Sequence, residues 1–156
     1  MELEKAQKIA NEIKALLEPH CWEVEIAGSI RRQRPWVNDI DIVLVPRDRW
    51  AVDSVLMRLG KIKMSGLKLT RITMDGGVQL DIYYASPETF ATLLLIRTGS
   101  KENNSRLCTL AKKRGWHLAA SGEGLFNERG EQVAGDSEES IYQALGLTYQ
   151  EPWERN

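Results

Sequence analysis

No stretch of this 156-residue chain approaches the roughly 18 unbroken apolar residues of a membrane-spanning helix, and Met1 is followed by Glu2 and Glu4 rather than an apolar signal core. No membrane association is expected, and an intracellular protein is. Cysteine is scarce: Cys21 and Cys108 have no metal-ligand spacing between them, so two free thiols are expected rather than a zinc site or a disulfide framework. The two histidines, His20 and His117, are not near Asp39, Asp41 or Asp81 in sequence and read as structural or surface residues. Basic excess is also missing. Lys plus Arg number 21 against 22 Asp plus Glu, a net charge of −1, which argues against a polyanion binder working by charge alone. Repeats and low-complexity segments are absent.

What is present suits an ordinary globular chain of one compact domain or two small ones, with 42% hydrophobic and 28% charged residues. The cations are clustered, with Arg31, Arg32 and Arg34 in one group and Lys112, Lys113 and Arg114 in another. A local basic stripe can therefore coexist with a neutral total.

From Glu2 to Leu17, Ala6, Ile9, Ala10, Ile13, Leu16 and Leu17 recur at helical spacing, and Pro19 ends the run. Trp22, Val24 and Ile26 alternate with Glu23 and Glu25, the pattern of a half-buried strand running into Gly28. A second strand is predicted from Asp39 to Val45, stopped by Pro46. Asp48 then caps a helix whose face is Val52, Val55, Leu56 and Leu59, closed by Gly60. Strand-like runs at Leu67 to Met74 and Val78 to Tyr84 flank Asp75-Gly76-Gly77, a strong hairpin signal.

After Pro87 the texture changes, and a domain boundary is placed there, giving domains 1–87 and 88–156. A helix is expected from Glu88 to about Ile96, with Leu93-Leu94-Leu95 in the second domain's core. Thr98-Gly99-Ser100 breaks it, and a further helix runs from Lys101 to Arg114. A short strand at Trp116 to Ala119, a return through Leu125-Phe126, and a turn at Asn127 to Gly130 follow. The last helix begins after Asp136, with Glu139 at capping-box spacing. Strands and helices mix without regular alternation, so the fold class is α+β with a mixed sheet.

Asp39 and Asp41 open an otherwise apolar strand, and side chains two apart on a strand share a face, roughly 7 Å apart. Two facing carboxylates repel and partly protonate unless a cation keeps both ionised, and hard oxygen ligands select magnesium or manganese. Asp81, forty residues beyond Asp41, stands in a second strand and completes a three-carboxylate cluster if the strands are neighbours. Such a cluster suits a two-metal site. Taken singly, each aspartate would more simply be a strand-end group facing water.

Upstream, Gly28-Ser29-Ile30-Arg31-Arg32 lies between the two strands. A glycine and a small hydroxyl let backbone N–H groups approach phosphate oxygens, and an arginine fork matches phosphate geometry. A Gly-Ser pair alone is weak evidence. Followed by two arginines and an Asp-x-Asp nine to twelve residues later, it is specific. Trp36 is read as packing beneath this loop, with stacking on a base the alternative.

On these residues the sequence resembles the palm and thumb of family X DNA polymerases, within the wider nucleotidyltransferase superfamily. Gly28-Ser29 through Arg32 and Asp39-Ile40-Asp41 match the superfamily signature, and Asp81 in Gln79-Leu80-Asp81 matches the third acidic ligand. In the second domain Thr98-Gly99-Ser100, Lys101, Asn104, Gly124-Leu125-Phe126, the helix start at Gly135 to Glu139, Leu145-Gly146-Leu147, Glu151-Pro152 and Arg155 resemble the thumb.

The resemblance implies a DNA-directed DNA polymerase using two Mg2+ ions, with Mn2+ able to substitute, held by Asp39, Asp41 and Asp81. It implies nucleotide contacts from Gly28, Ser29, Arg32, Asn38, Gly99, Ser100, Lys101 and Asn104. Primer-template or gapped DNA and a deoxynucleoside triphosphate would be the partners of a monomer, cytoplasmic or nucleoid-associated, or in a host cell if viral. The alternative is a template-independent enzyme with a protein or small-molecule acceptor, and a non-catalytic DNA-binding module is a further one.

Three departures stand out. The chain begins at the helix before the palm, leaving no room for helix-hairpin-helix and lyase domains, as in minimal viral members, so no lyase activity is expected. Ile96-Arg97 replace an aromatic pair that excludes a ribose 2′-hydroxyl, and Cys108 stands near where an arginine would probe the template.

Overall fold

The computed structural model describes residues 1–156. Helix α1, Leu3–Leu17, buries Ala6, Ala10, Ile13 and Leu17 along one face. Pro19 converts its end into a single 3-10 turn before strand β1, Cys21–Ile26. Residues Gly28–Arg31, read as a loop, form one helical turn, α2, and β2 follows at Asp39–Pro46. The Asp48 carboxylate accepts from the Ala51 N–H at 3.2 Å and caps α3, Arg49–Leu59.

Strands β3, Gly60–Ser65, β4, Leu69–Met74, and β5, Gln79–Tyr84, complete a sheet ordered β1-β2-β5-β4-β3. All its pairings are antiparallel except β2 with β5. The sheet is therefore mixed. Sequence pattern missed β3 because it is an edge strand with Lys61 and Lys63 and mostly exposed side chains, so no buried face leaves an alternation to read.

On the alternating strand β2, Ile40, Ile42 and Leu44 point into a core closed by α1 and α3, with Val52, Val55, Leu56, Ile72, Leu80 and Ile82. Each such fully buried side chain contributes about 2 kcal/mol of hydrophobic stabilisation. Asp39, Asp41 and Val43 necessarily face the other way. Helix α4, Phe90–Thr98, covers part of that face, with Leu93 and Leu94 packing against Ala27 and Val43. The leucine run, expected in one core, is thus divided: only Leu95 enters a second, separate core, because successive helical residues point about 100° apart.

That second core lies under α5, Lys101–Lys113, and a sheet of β6, His117–Ala119, β7, Gly124–Phe126, and β8, Gln132–Ala134, in the order β6-β7-β8. Strand β8, three residues long, is too short to leave a periodic signal. The final helix α6, Glu138–Ala144, starts one residue later than expected, and its capping box is Ser137 with Ser140 rather than Asp136 with Glu139. Arg114, from the second basic cluster, donates to the Ala144 and Leu145 carbonyls and so closes the end of α6. No helix is long and apolar enough to cross a membrane.

Candidate active site

The strand register decides which acidic groups meet. In the parallel pairing of β2 with β5, Asp41 stands opposite Asp81 and Asp39 opposite Gln79. Both Asp39 and Asp41 line a cavity of about 480 Å3 between the five-stranded sheet and helices α4 and α5. Gly28, Ser29, Arg32, Asn38, Gly99, Lys101 and Asn104 line it too, so most of the residues singled out in the sequence converge here.

Two do not. The Ser100 hydroxyl caps α5 by accepting from the Asn103 N–H at 3.2 Å, and its side chain is buried away from the cavity. Asp81 is 4% exposed and sits behind the lining, tied to a cation that the sequence reading did not include. Arg71 on β4 donates through Nε to Asp81 Oδ1 at 2.9 Å and through Nη2 to Oδ2 at 3.3 Å. Gln79 Nε2 adds a third donor at 3.2 Å. The hairpin signal contained this pairing, because residues five positions either side of Gly76 face each other across β4 and β5.

Helix α2 is fastened to β2 by the Ala27 N–H, which donates to the Asp41 carbonyl at 2.8 Å. Gly28 has a φ of +61° and lies so close to Asp41 that an added Cβ would overlap Asp41 Oδ2. Only glycine fits both demands. The glycine therefore makes room for a carboxylate as well as offering its backbone to the cavity.

Electrostatics single out Asp41. Burial, then the charges of Asp81 and Asp39, push its carboxyl up to about 7, against the opposing pull of Arg97 and Arg32. Carboxylates held against one another in this way form a site that a divalent cation neutralises. Asp39 and Asp41 both face the cavity from which such an ion would enter. No group of three acidic, histidine or cysteine side chains converges closely enough to hold one, and Asp81 is turned to Arg71. Its inclusion requires that pair to open.

Cations surround the cavity. Arg32 donates through Nη1 to the Thr98 carbonyl at 2.7 Å and through Nε to Asn156 Oδ1 at 3.3 Å. Burial, then the neighbouring charge of Arg34, lower its pKa, while Asp41 and Glu102 work in the opposite direction. Arg34, Trp36, Tyr83 and Arg97 are further lining residues. The Arg97 guanidinium lies 4.2 Å from the Tyr83 ring centroid, a cation–π contact joining α4 to β5. Trp36 does not pack beneath the loop: its side chain is 63% exposed at the cavity rim, because main-chain bonds from Met1 and Leu3 hold the backbone of 35–37.

Behind the cavity, Arg31 ties α2 to α4 and α6. It donates to Glu138 Oε1 at 2.6 Å, to Glu138 Oε2 at 2.8 Å and to Thr98 Oγ1 at 2.8 Å. Fully buried Arg155 donates to the same Glu138 Oε2 at 2.7 Å. Burial alone would raise the Glu138 carboxyl, but the two guanidinium groups outweigh it and hold the pKa below its ordinary value. Asn104 donates to the Ile96 carbonyl at 2.8 Å, which leaves its buried Oδ1 without a partner.

A family model described as the DNA polymerase beta thumb matches residues 93–156. Over 149 residues the chain is 32% identical to the DNA polymerase/3'-5' exonuclease PolX of Bacillus subtilis (strain 168). That alignment covers 91% of this chain and 26% of the relative, so the chain spans about a quarter of the relative's length. Solved structures of Leishmania infantum polymerase beta share the fold. Its ternary P/T complex superposes with a TM-score of 0.83 at 18% identity, covering 100% of this chain and 76% of that one. Its ternary gap complex gives 0.85 at 17%, covering 100% and 70%. The fold is that of polymerase beta, α+β with a mixed sheet. The chain is thus similar to members of DNA polymerase family X, over residues 93–156 through the thumb model and over 149 residues through the Bacillus relative.

Proposed function

We propose that the chain transfers a nucleotide from a deoxynucleoside triphosphate to a primer 3′-hydroxyl, filling gaps in DNA under the direction of a template. In this reading residues 1–87 are the palm and 88–156 the thumb. The observation that carries it is the in-register placement of Asp41 opposite Asp81, with Asp39 beside them and the Gly28-Ser29 turn facing the same cavity. The Bacillus relative is named a DNA polymerase and the Leishmania structures are titled as P/T and gap complexes, which supports DNA ends as the acceptor.

Asp39, Asp41 and Asp81 would hold two Mg2+ ions, with Mn2+ able to substitute. When bound, such ions lower the pKa of an attacking hydroxyl and offset charge on the α-phosphate and the leaving pyrophosphate. The protein's own groups do the positioning. Gly28, Ser29 and Arg32 receive the triphosphate, and Asn38 borders it. Arg32, anchored by the Thr98 carbonyl, keeps its guanidinium beside Asp41. Gly99, Lys101 and Asn104 line the wall against which the sugar and base lie, and the free Oδ1 of Asn104 can accept from a base. Ser100 acts indirectly, by capping the helix that presents Lys101 and Asn104. The chain would work as a monomer wherever the cell keeps its DNA, and with a neutral total charge its DNA affinity should be modest and salt-dependent.

The test is extension of a labelled primer on a one-nucleotide-gapped DNA in Mg2+, with each deoxynucleotide and ribonucleotide supplied separately. The Asp39→Ala, Asp41→Ala double variant runs alongside. Template-directed addition that disappears in the variant is the expected result. Addition of any nucleotide regardless of template would favour a template-independent enzyme, and no addition to any DNA end would overturn the proposal.

A further inference from the structure

Asp81 lies between two strands that present opposite charges to it. On one side β2 carries Asp41, and on the other β4 carries Arg71, each directly across the sheet from Asp81. Neighbouring strands stand about 4.8 Å apart, so either partner is within reach of one side-chain rotation. The carboxylate has turned to the cation. Arg71 grips both its oxygens, at 2.9 and 3.3 Å, and Gln79 holds Oδ2 at 3.2 Å. Tyr83 Oη lies 3.5 Å from Oδ2, at the limit of a hydrogen bond. The remaining groups facing this cluster are Asp39, Asp41 and Arg97 on the cavity side.

This arrangement sets a choice. A carboxylate directed at Arg71 cannot also complete a cation site with Asp39 and Asp41, and no three acidic groups converge in the structure as it stands. Arg71 itself is not committed in the same way, since its side chain is 38% exposed while that of Asp81 is 5% exposed. Water can take over the guanidinium at little cost once the carboxylate leaves.

We infer that Arg71 is a positioning residue that parks Asp81 away from Asp41, so that a divalent cation completes its site only by drawing the Asp81 carboxylate across from β4 to β2. The inference rests on the three-carboxylate reading of the site. Parking separates two like charges while no ion is present, and it makes ion entry and a side-chain rotation one event. The ion must displace a guanidinium, so Arg71 lowers the affinity of the completed site and raises the ion concentration needed to fill it.

The experiment is binding of Mg2+ alone by calorimetry and of Mn2+ alone by paramagnetic resonance, with no DNA or nucleotide, at a pH well above the Asp41 value. Arg71→Ala should bind the ion about five-fold more tightly than the parent, the scale of a half-exposed ion pair. Arg71→Lys should restore affinity toward the parent value, and in an Asp81→Asn background the Arg71→Ala change should be silent. A purely structural role for Arg71 would not produce that dependence on Asp81. The parent alone offers a second reading that needs no variant to fold. The Arg71 Nε–H resonance, protected by Asp81, should lose its protection from exchange as Mg2+ is added.

Unchanged or weaker binding in Arg71→Ala, with Asp81→Asn still weakening it, would overturn the parking and leave the metal site intact. Persistent protection of Arg71 Nε–H at saturating Mg2+ would do the same. If Asp81→Asn and the Asp39→Asn, Asp41→Asn pair all bind the ion as the parent does, the metal site itself is wrong and the inference goes with it.

Discussion

Asp41 and Asp81 stand directly opposite one another on adjacent parallel strands, although forty residues separate them along the chain. The parallel pairing is the one exception in an otherwise antiparallel five-stranded sheet, and it sets Asp81 of β5 directly behind the cavity that Asp39 and Asp41 of β2 line.

Stability of the metal-free protein should fall as pH rises because of Asp41. Its folded pKa, about 7, lies above the ordinary 3.8, so its contribution is fully present below 3.8 and is lost as pH rises through about 7. The loss is on the order of 2 kcal/mol, discounted for the part of the side chain that water reaches. Urea denaturation across this window should show Asp41→Asn with a flatter profile and greater stability at alkaline pH. An unaltered slope in that variant would remove Asp41 as the source.

Glu138 works with the opposite sign. Its folded pKa is depressed by Arg31 and Arg155 against the effect of burial, so its contribution is present above the unfolded value and is lost as pH falls through the folded one. Glu138→Gln leaves fully buried Arg155 and part-buried Arg31 without a counter-charge and should cost about 3 kcal/mol. Thermal unfolding checks the cost, and binding of a nucleoside triphosphate checks whether the Arg31 and Arg32 turn has moved.

Gly28→Ala combines a disfavoured positive φ with an overlap on Asp41 Oδ2. A loss of about 2 kcal/mol is expected, together with weaker Mn2+ binding because Asp41 has to move. Ser29→Ala, which adds no Cβ, should leave Mn2+ binding by the empty enzyme intact. Equal effects from the two substitutions would show that the contact between Gly28 and Asp41 is unimportant.

Trp36 is exposed at the rim, so Trp36→Ala should change stability by less than about 0.5 kcal/mol. Loss of a stacking platform should weaken nucleotide or DNA binding by about 1 to 3 kcal/mol. Fluorescence titration of a variant retaining Trp36 as the only tryptophan measures this directly. An emission maximum unmoved by either ligand would rule the stacking role out.

Much of this site was legible before any coordinates. Asp39 and Asp41 on one face, the glycine before Ser29, and the hairpin at Asp75 to Gly77 are local signals, fixed by the period of a strand and the demands of a turn. The same hairpin set the opposition of Arg71 and Asp81, and that consequence was available from counting outward from Gly76. Edge strand β3 was not legible, because a strand open on both faces leaves no apolar pattern. Nor was the division of Leu93, Leu94 and Leu95 between two cores, since three consecutive apolar residues on a helix do not reveal what covers each side.

The sequence by itself determined the α+β class and the residue types that bring acid, cation and backbone donors to one place. Tertiary structure alone decided that Asp81 turns from Asp41 to Arg71, that Ser100 caps a helix instead of facing the cavity, and that Trp36 stands exposed at its rim. The reason is physical: strand period and turn chemistry act over a few residues and can be read along the chain. The direction of a charged side chain depends on which charges strand pairing sets on either side of it.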